Sequence, residues 1–287
     1  MMDLAPLVEL LRAERLTSVV DVGANPIDGD PPYKEMLRQR GCRVIGFDPH
    51  PIALERLNSS KGDLETYLPY AIGDGAVHTL NICKGAGFAS LLVPDDLVLS
   101  HFPRFSDLGH VIERIELTTR RLDDIAEIDE IDFLKIDIQG SELSVFQNGR
   151  DRLSEAVAVQ TEVSFIPLYR NQPVFGAVDT ELRALGLVPH MFAATNKKMI
   201  APMVPPAAHV AFNQLVEADA VYVRDFTKPD SMTIEQLKHL ALIAHACYGS
   251  FDLAANCLHH LVRRGALRPE AANQYLDLLK RPAKSEL

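Results

Sequence analysis

A series of short apolar runs, each stopping at a glycine or an acid, constrains this chain more than any other feature. Ser18-Val19-Val20-Asp21-Val22 ends at Gly23, and Arg43-Val44-Ile45-Gly46-Phe47 ends at Asp48. Phe133-Leu134-Lys135-Ile136-Asp137-Ile138 stops before Gln139-Gly140, and Ala156 to Val163 carries Glu162 near its end. Runs of this length bounded by turn residues read as buried strands. Between them lie helical patterns: Pro31 to Arg40, closed by Gly41; Ile52 to Asn58; Ser141 to Phe146; and Val178 to Leu185. Further strands are expected over Glu65 to Ile72, Val77 to Cys83, Val111 to Thr119 and Ala220 to Val223. Strand and helix in alternation predict a doubly wound, mostly parallel α/β sheet of Rossmann-like type. Ligands of such sheets bind at the carboxyl ends of the strands, where strand order reverses. The chemistry is therefore expected just after Val22, Phe47, Ile138 and Val163.

The period changes after Asp225. Ile234, Leu237, Leu240, Ala241 and Ala244 mark one helix, and Leu253, Ala254, Cys257, Leu258 and Leu261 a second. Gly249-Ser250 is the turn between them, and a third helix is expected from Pro269 to Leu279. The expected division is a main domain over residues 1–228, opening with an N-terminal helix within 1–16, and a C-terminal helical extension over 229–287. A homodimer through those helices is one use for the extension.

Charge and cysteines narrow the function. The formal net charge of −10 repels a phosphate backbone, so no nucleic-acid partner is expected. Cys42, Cys83, Cys247 and Cys257 form no C-x-x-C pair, and reduced thiols in a cytoplasmic protein are the expectation. The N-terminal apolar positions are interrupted by charges and no run reaches membrane-spanning length, so no membrane insertion is expected.

The loop after the first strand, Asp21-Val22-Gly23-Ala24-Asn25-Pro26-Ile27-Asp28-Gly29-Asp30, matches neither phosphate-binding glycine pattern. Its aspartates disfavour a pyrophosphate. They suit S-adenosylmethionine, which carries a sulfonium and an ammonium and no phosphate. Gly23 lets the backbone approach the ligand, and Asp21 and Asn25 can accept from the ammonium. The alternative is an ordinary turn in which Asp and Asn cap helices. Asp48, at the end of the second strand, is placed to accept both hydroxyls of a ribose; the alternative there is a cap for the helix entered through Pro49 and Pro51. Ala71 and Ile72 can wall an adenine, or simply form a turn.

The chain resembles the FkbM family of class I methyltransferases. The matching blocks are Asp21 to Asn25, Gly46 to Pro51, Ala71 to Asp74, Gly87 to Leu91, Thr119 to Asp124 and, most distinctive, Ile131 to Glu142. The resemblance covers roughly residues 17 to 225. It departs from the family in the long loop from Pro26 to Pro32, and in Gln139, where the family often has an acid. It implies methyl transfer from S-adenosylmethionine, usually to oxygen on a sugar or another small hydroxylated metabolite. The cofactor-binding residues expected are Asp21, Gly23, Ala24, Asn25, Asp48, Pro49, Ala71, Ile72 and Asp137. The catalytic candidates are Asp137, Glu162 and Glu142, as bases or acceptor ligands. Asp137 serves equally as a contact for the methionine portion, and Glu142 as a helix-dipole partner. The three could gather on a divalent cation, but no metal is expected. His50, His190 and His209 read as surface or buried histidines rather than catalysts, and Arg170 as a solvated loop charge. Two other functions fit the same sheet. A nicotinamide-dependent oxidoreductase would share the ribose-binding acid but lacks its glycine motif here, and a degenerate scaffold would bind no cofactor at all.

Overall fold

The computed structural model describes residues 3–25, 29–203 and 213–280. Pro26, Ile27, Asp28 and His209 lie outside them. The strands are β1 (Thr17–Val22), β2 (Cys42–Phe47), β3 (Glu65–Leu68), β4 (Val77–Cys83), β5 (Val111–Thr118), β6 (Phe133–Ile136), β7 (Ala158–Ser164), β8 (Leu187–Lys198) and β9 (Gln214–Arg224). The helices are α1 (Ala5–Leu11), α2 (Lys34–Arg38), α3 (Pro51–Ser60), α4 (Asp96–Leu99), α5 (Phe105–Leu108) and α6 (Glu142–Gln147). They continue with α7 (Arg150–Leu153), α8 (Phe175–Ala184), α9 (Ile234–Tyr248), α10 (Phe251–Arg263) and α11 (Ala271–Leu279).

Seven strands form the main sheet in the order β3-β2-β1-β6-β7-β9-β8. It is parallel from β3 to β7, and β9 joins antiparallel to both β7 and β8. The order reverses between β1 and β6, so the crevice for a ligand opens at their carboxyl ends. β4 and β5 pair with each other in a separate antiparallel ribbon.

Side chains along the strands alternate between two cores. Val19, Phe133, Val221 and Val223 face one side, with Leu4, Leu7 and Leu11 of α1 and the buried faces of α9 and α10. Val20, Leu134, Val159 and Tyr222 face the other, with Val145 and Phe146 of α6 and Val178 and Leu182 of α8.

The expected boundary at 228 does not divide these cores. α9 lies on the main sheet, with Leu237, Leu240, Leu242 and Ile243 all buried. Its N-terminus is fixed by a capping box between Thr233 and Gln236, and Gly249 ends it in the left-handed conformation with φ +60°. Polar contacts reach the same way: His239 Nδ1 lies 3.0 Å from Thr17 Oγ1 of β1, and Lys238 Nζ donates to the Arg12 carbonyl at 3.0 Å. From Leu237 to His245 the helix is buried on every side because it is a core helix.

Three strands differ most from expectation. β3 stops at Leu68, before Pro69 and four residues short of the expected Ile72. β8 was not expected, because it is an edge strand with Pro189, register shifts and mostly exposed residues, so it lacks a two-residue alternation. β9 starts six residues before the expected Ala220, at Gln214. Its polar first half, with Glu217 and Asp219, lines the cavity described next.

Candidate active site

A cavity of about 1490 Å³ opens over the carboxyl ends of β1, β2, β6 and β7. Drug-sized ligands occupy sites of roughly 300–1,000 Å³, so there is room for a nucleoside and a second molecule. Every cofactor-binding residue expected from the sequence lines it: Asp21, Gly23, Ala24, Asn25, Asp48, Pro49, Ala71, Ile72 and Asp137.

At one end, the loop after β1 is held by strand-end contacts. The amides of Gly23 and Ala24 both donate to the Phe47 carbonyl, at 3.0 and 3.1 Å. Gly23 has φ +79°, and a Cβ there would lie 2.1 Å from the Asp137 carbonyl oxygen. The loop therefore passes directly over the end of β6. Asp48 is buried, which raises its pKa, while the amides of His50 and Asn25 bond to it and act in the opposite sense. His50 N–H donates to Asp48 Oδ1 at 2.8 Å, so the capping role also holds. Tyr70 stacks on Phe47 with ring centroids 6.0 Å apart and lies beneath the Arg120 guanidinium, 3.6 Å from its centroid. With Ala71 and Ile72 they give this end a flat, apolar wall. Asp74 takes no part in it; it braces the ribbon turn through Thr119, His78 and the Ala76 amide.

Asp21 is buried at the floor. Tyr33 donates to its Oδ2 at 2.5 Å, and Oδ1 has no hydrogen-bond partner, its nearest cation being Lys135 Nζ at 3.4 Å. Burial raises the Asp21 carboxyl, and Lys135 acts in the opposite sense. For Lys135, burial works to lower the pKa, but Asp21 and Asp137 outweigh it and the ammonium is held firmly. Lys135 Nζ donates to the Gly23 carbonyl at 3.2 Å rather than to Asp137, two residues further along the chain and just past the end of β6.

The other end is rich in carboxylates. Asp137 and Glu162 face the cavity, joined by Glu217 and Asp219 of β9. Oxygens of Asp137, Glu142 and Glu162 lie within 4.8 Å of one another. Glu142, expected to act on the acceptor, does not line the cavity. Its Oε1 accepts from the amides of Ile138 and Gly140 at 2.9 and 3.1 Å, which braces the loop after β6. Burial pushes its carboxyl up to about 7. Burial, then Asp137 and Glu217, raise Glu162 well above the usual carboxylate range. Glu217 is pushed up to about 7 by burial, against the bond it accepts from Asn196 Nδ2 at 3.1 Å.

These shifts predict a pH dependence. An unfolded glutamate loses its proton near 4.5, whereas folded Glu217 keeps it to about 7. The folded state therefore binds more protons in that window, and its stability falls as pH rises from about 4.5 through 7. Glu217→Gln is expected to remove part of that fall. It should stabilise the ligand-free protein by roughly 2 kcal/mol at pH 8 and much less at pH 5, as read by thermal melts. Equal effects at both pH values would show that Glu217 does not titrate as described.

Residues to which sequence reasoning gave no chemical role complete this end. Gln139 Nε2 donates to Asp137 Oδ1 and Glu162 Oε2, and Tyr169 donates to Gln139 Oε1. Glu217, Asp219 and Lys198 come from β8 and β9, and no motif marks them. Among the histidines, His50 lines the cavity, whereas His190 contacts Ser250 Oγ at 2.7 Å, where β8 meets the turn before α10. Arg170 is exposed and is not part of the cavity lining.

This sheet order, the glycine turn after β1 and the acid after β2 define a Rossmann-like α/β fold with its ligand crevice over β1 and β6. The profile of the Methyltransferase FkbM domain matches residues 21–188, and the chain belongs to that family. A search of curated proteins finds no match. Among solved structures, the chain is similar to the magnesium protoporphyrin IX methyltransferase of Synechocystis PCC 6803 with bound SAM. There the identity is 10% over 77% of each chain, with a TM-score of 0.38. A TehB-like SAM-dependent methyltransferase from Corynebacterium glutamicum shares 13% identity over 78% of this chain and 89% of that one, with a TM-score of 0.35. The precorrin-6y C5,15-methyltransferase of Geobacter metallireducens shares 11% over 77% and 86%, with a TM-score of 0.36. At such scores the likeness is one of general architecture and assigns no ligand. Among the described residues no helix is long and apolar enough to cross a membrane.

Proposed function

We propose that this methyltransferase uses S-adenosylmethionine to methylate a hydroxyl of a sugar, glycan or small hydroxylated metabolite. One observation carries the reading: a single cavity joins a ribose-and-adenine end, around Asp48 and Ile72, to a carboxylate-lined end around Asp137 and Glu162. The residues present fit the cofactor. Asp48 accepts from the ribose, and Tyr70, Ala71 and Ile72 wall the adenine. Asp21 Oδ1, ion-paired with Lys135 Nζ at 3.4 Å but without a hydrogen-bond partner, suits the ammonium, and Lys135 the neighbouring carboxylate. Bound there, the cofactor supplies an electrophilic methyl group on a good leaving group.

The chain's own contribution is alignment and proton removal. Glu162, in its ionised form, takes the hydroxyl proton as the acceptor oxygen attacks, and its raised pKa brings it closer to that of the proton it removes. Asp137 orients the hydroxyl or the methionine portion. The carboxylates accept from several hydroxyls at once and repel a phosphorylated or carboxylated acceptor. The unpaired thiols of all four cysteines suit a cytoplasmic setting.

Calorimetry with S-adenosylmethionine, S-adenosylhomocysteine and NADH tests the cofactor. We expect the two adenosyl compounds to bind and NADH not to. Asp48→Ala should weaken the adenosyl compounds by about 10-fold or more, the value of hydrogen bonds to a charged acceptor. Tight NADH binding with indifference to both adenosyl compounds would show the assignment to be wrong.

A further inference from the structure

Gln139 occupies a place where no neutral side chain is required by the turn itself. Its backbone has φ +56° and is followed by Gly140 at +103°. A left-handed glutamine costs roughly 1 kcal/mol, and a glycine or asparagine would make the same turn more cheaply. The neighbours fix it there. Ser90 Oγ donates to the Gln139 carbonyl at 2.6 Å, Glu142 holds the amides on either side, and the Gln172 side chain closes over Gly140.

The side chain bonds at both ends. Nε2 donates to Asp137 Oδ1 at 2.9 Å and to Glu162 Oε2 at 3.0 Å, while Oε1 accepts from the buried Tyr169 hydroxyl at 3.2 Å. Turned end for end, the amide would aim its oxygen at two carboxylates. The network therefore sets its orientation.

We propose that Gln139 is a positioning residue that clamps Asp137 and Glu162 apart, giving one amide proton to each so that they cannot close on a shared proton. Carboxyl groups free to close from within 4.8 Å to hydrogen-bond distance share a proton, and one of the two is then lost as a base. The amide donors favour the ionised form of each partner and leave the free oxygens for the cavity. The clamp works against the other charges that face Glu162: Glu142 from α6 and Glu217 and Asp219 from β9. Lys135 and Lys198 act on this group as cations, through Asp137 and Glu217 respectively.

The purpose of the clamp rests on the reading of this end as the acceptor site, but its test needs neither cofactor nor acceptor. In protein carrying carbon-13 at the glutamate carboxyl, the Glu162 signal is identified by its loss in Glu162→Gln and followed against pH. In Gln139→Leu the Glu162 midpoint is expected to rise by about one pH unit, the size of a lost hydrogen bond to a carboxylate. Tyr169→Phe leaves the amide in place but unanchored, and should give a smaller rise; it carries the test if Gln139→Leu does not fold. A purely structural glutamine would alter melting temperature and leave the midpoint alone. Midpoints within a few tenths of a unit of the parent in every folded variant would overturn the clamp.

Discussion

A chain ending at Lys228 is expected not to fold. It lacks α9, which lies on the sheet face presented by Val19, Phe133, Val221 and Val223. The buried Leu237, Leu240, Leu242 and Ile243 of that helix are each worth roughly 1.5–3 kcal/mol. Their sum alone rivals the ~5–15 kcal/mol net stability of an ordinary domain. Truncation also removes Leu253, Leu258 and Leu261 of α10 and leaves Thr17 without His239. Circular dichroism and urea titration of the fragment should show no cooperative transition, and expression should give aggregated protein. A soluble fragment with a sharp melt would mean that residues 229–280 are an appendage after all.

Gly23→Ala is expected to abolish cofactor binding while leaving a weakened but folded protein. The new methyl would stand 2.1 Å from the Asp137 carbonyl oxygen, 3.1 Å from its carbon and 3.3 Å from Ile138 Cγ2. Backbone, not a flexible side chain, is what must yield. The left-handed φ of +79° adds to the strain. Together these cost roughly 2–5 kcal/mol, from about 1–2 for the conformation and 1–3 for overpacking. Either the loop lifts or the end of β6 shifts, and Asp21 and Asp137 then no longer share the cavity floor. We expect the affinity for S-adenosylhomocysteine to fall at least about 100-fold, since sub-ångström placement governs such contacts. Gly176→Ala is the control, because nothing lies within 4 Å of its added carbon; it should melt and bind like the parent. Affinity within twofold of the parent for Gly23→Ala would refute the close approach.

The residues at strand ends were legible because strand geometry is local. Asp21 and Asp48 follow apolar runs whose length and composition mark them as buried, and parallel pairing brings Val22 level with Phe47. Asp137 and Glu162 were placed by the same logic. Glu142 was legible as a helix-start acid, but its assignment to chemistry was not. Whether such a carboxylate faces a cavity or bonds to its own loop depends on backbone amides that the spacing does not show. Gln139 read as the loss of an acid, since its partners Glu162 and Tyr169 are more than twenty residues away.

The sequence by itself determined the parallel strands, their ligand-binding edge and the acids at their ends, because apolar period and turn chemistry act over a few neighbouring residues. It also determined that the tail is helical. Only the tertiary structure decided that this tail belongs to the core. An amphipathic period states that a face is buried, not what covers it. The same holds for the acceptor end, where Glu217 and Asp219 arrive on an antiparallel strand from far along the chain. Which charges share a low-dielectric cavity is set by chain crossing, and so are their titration and the bonds that hold them apart.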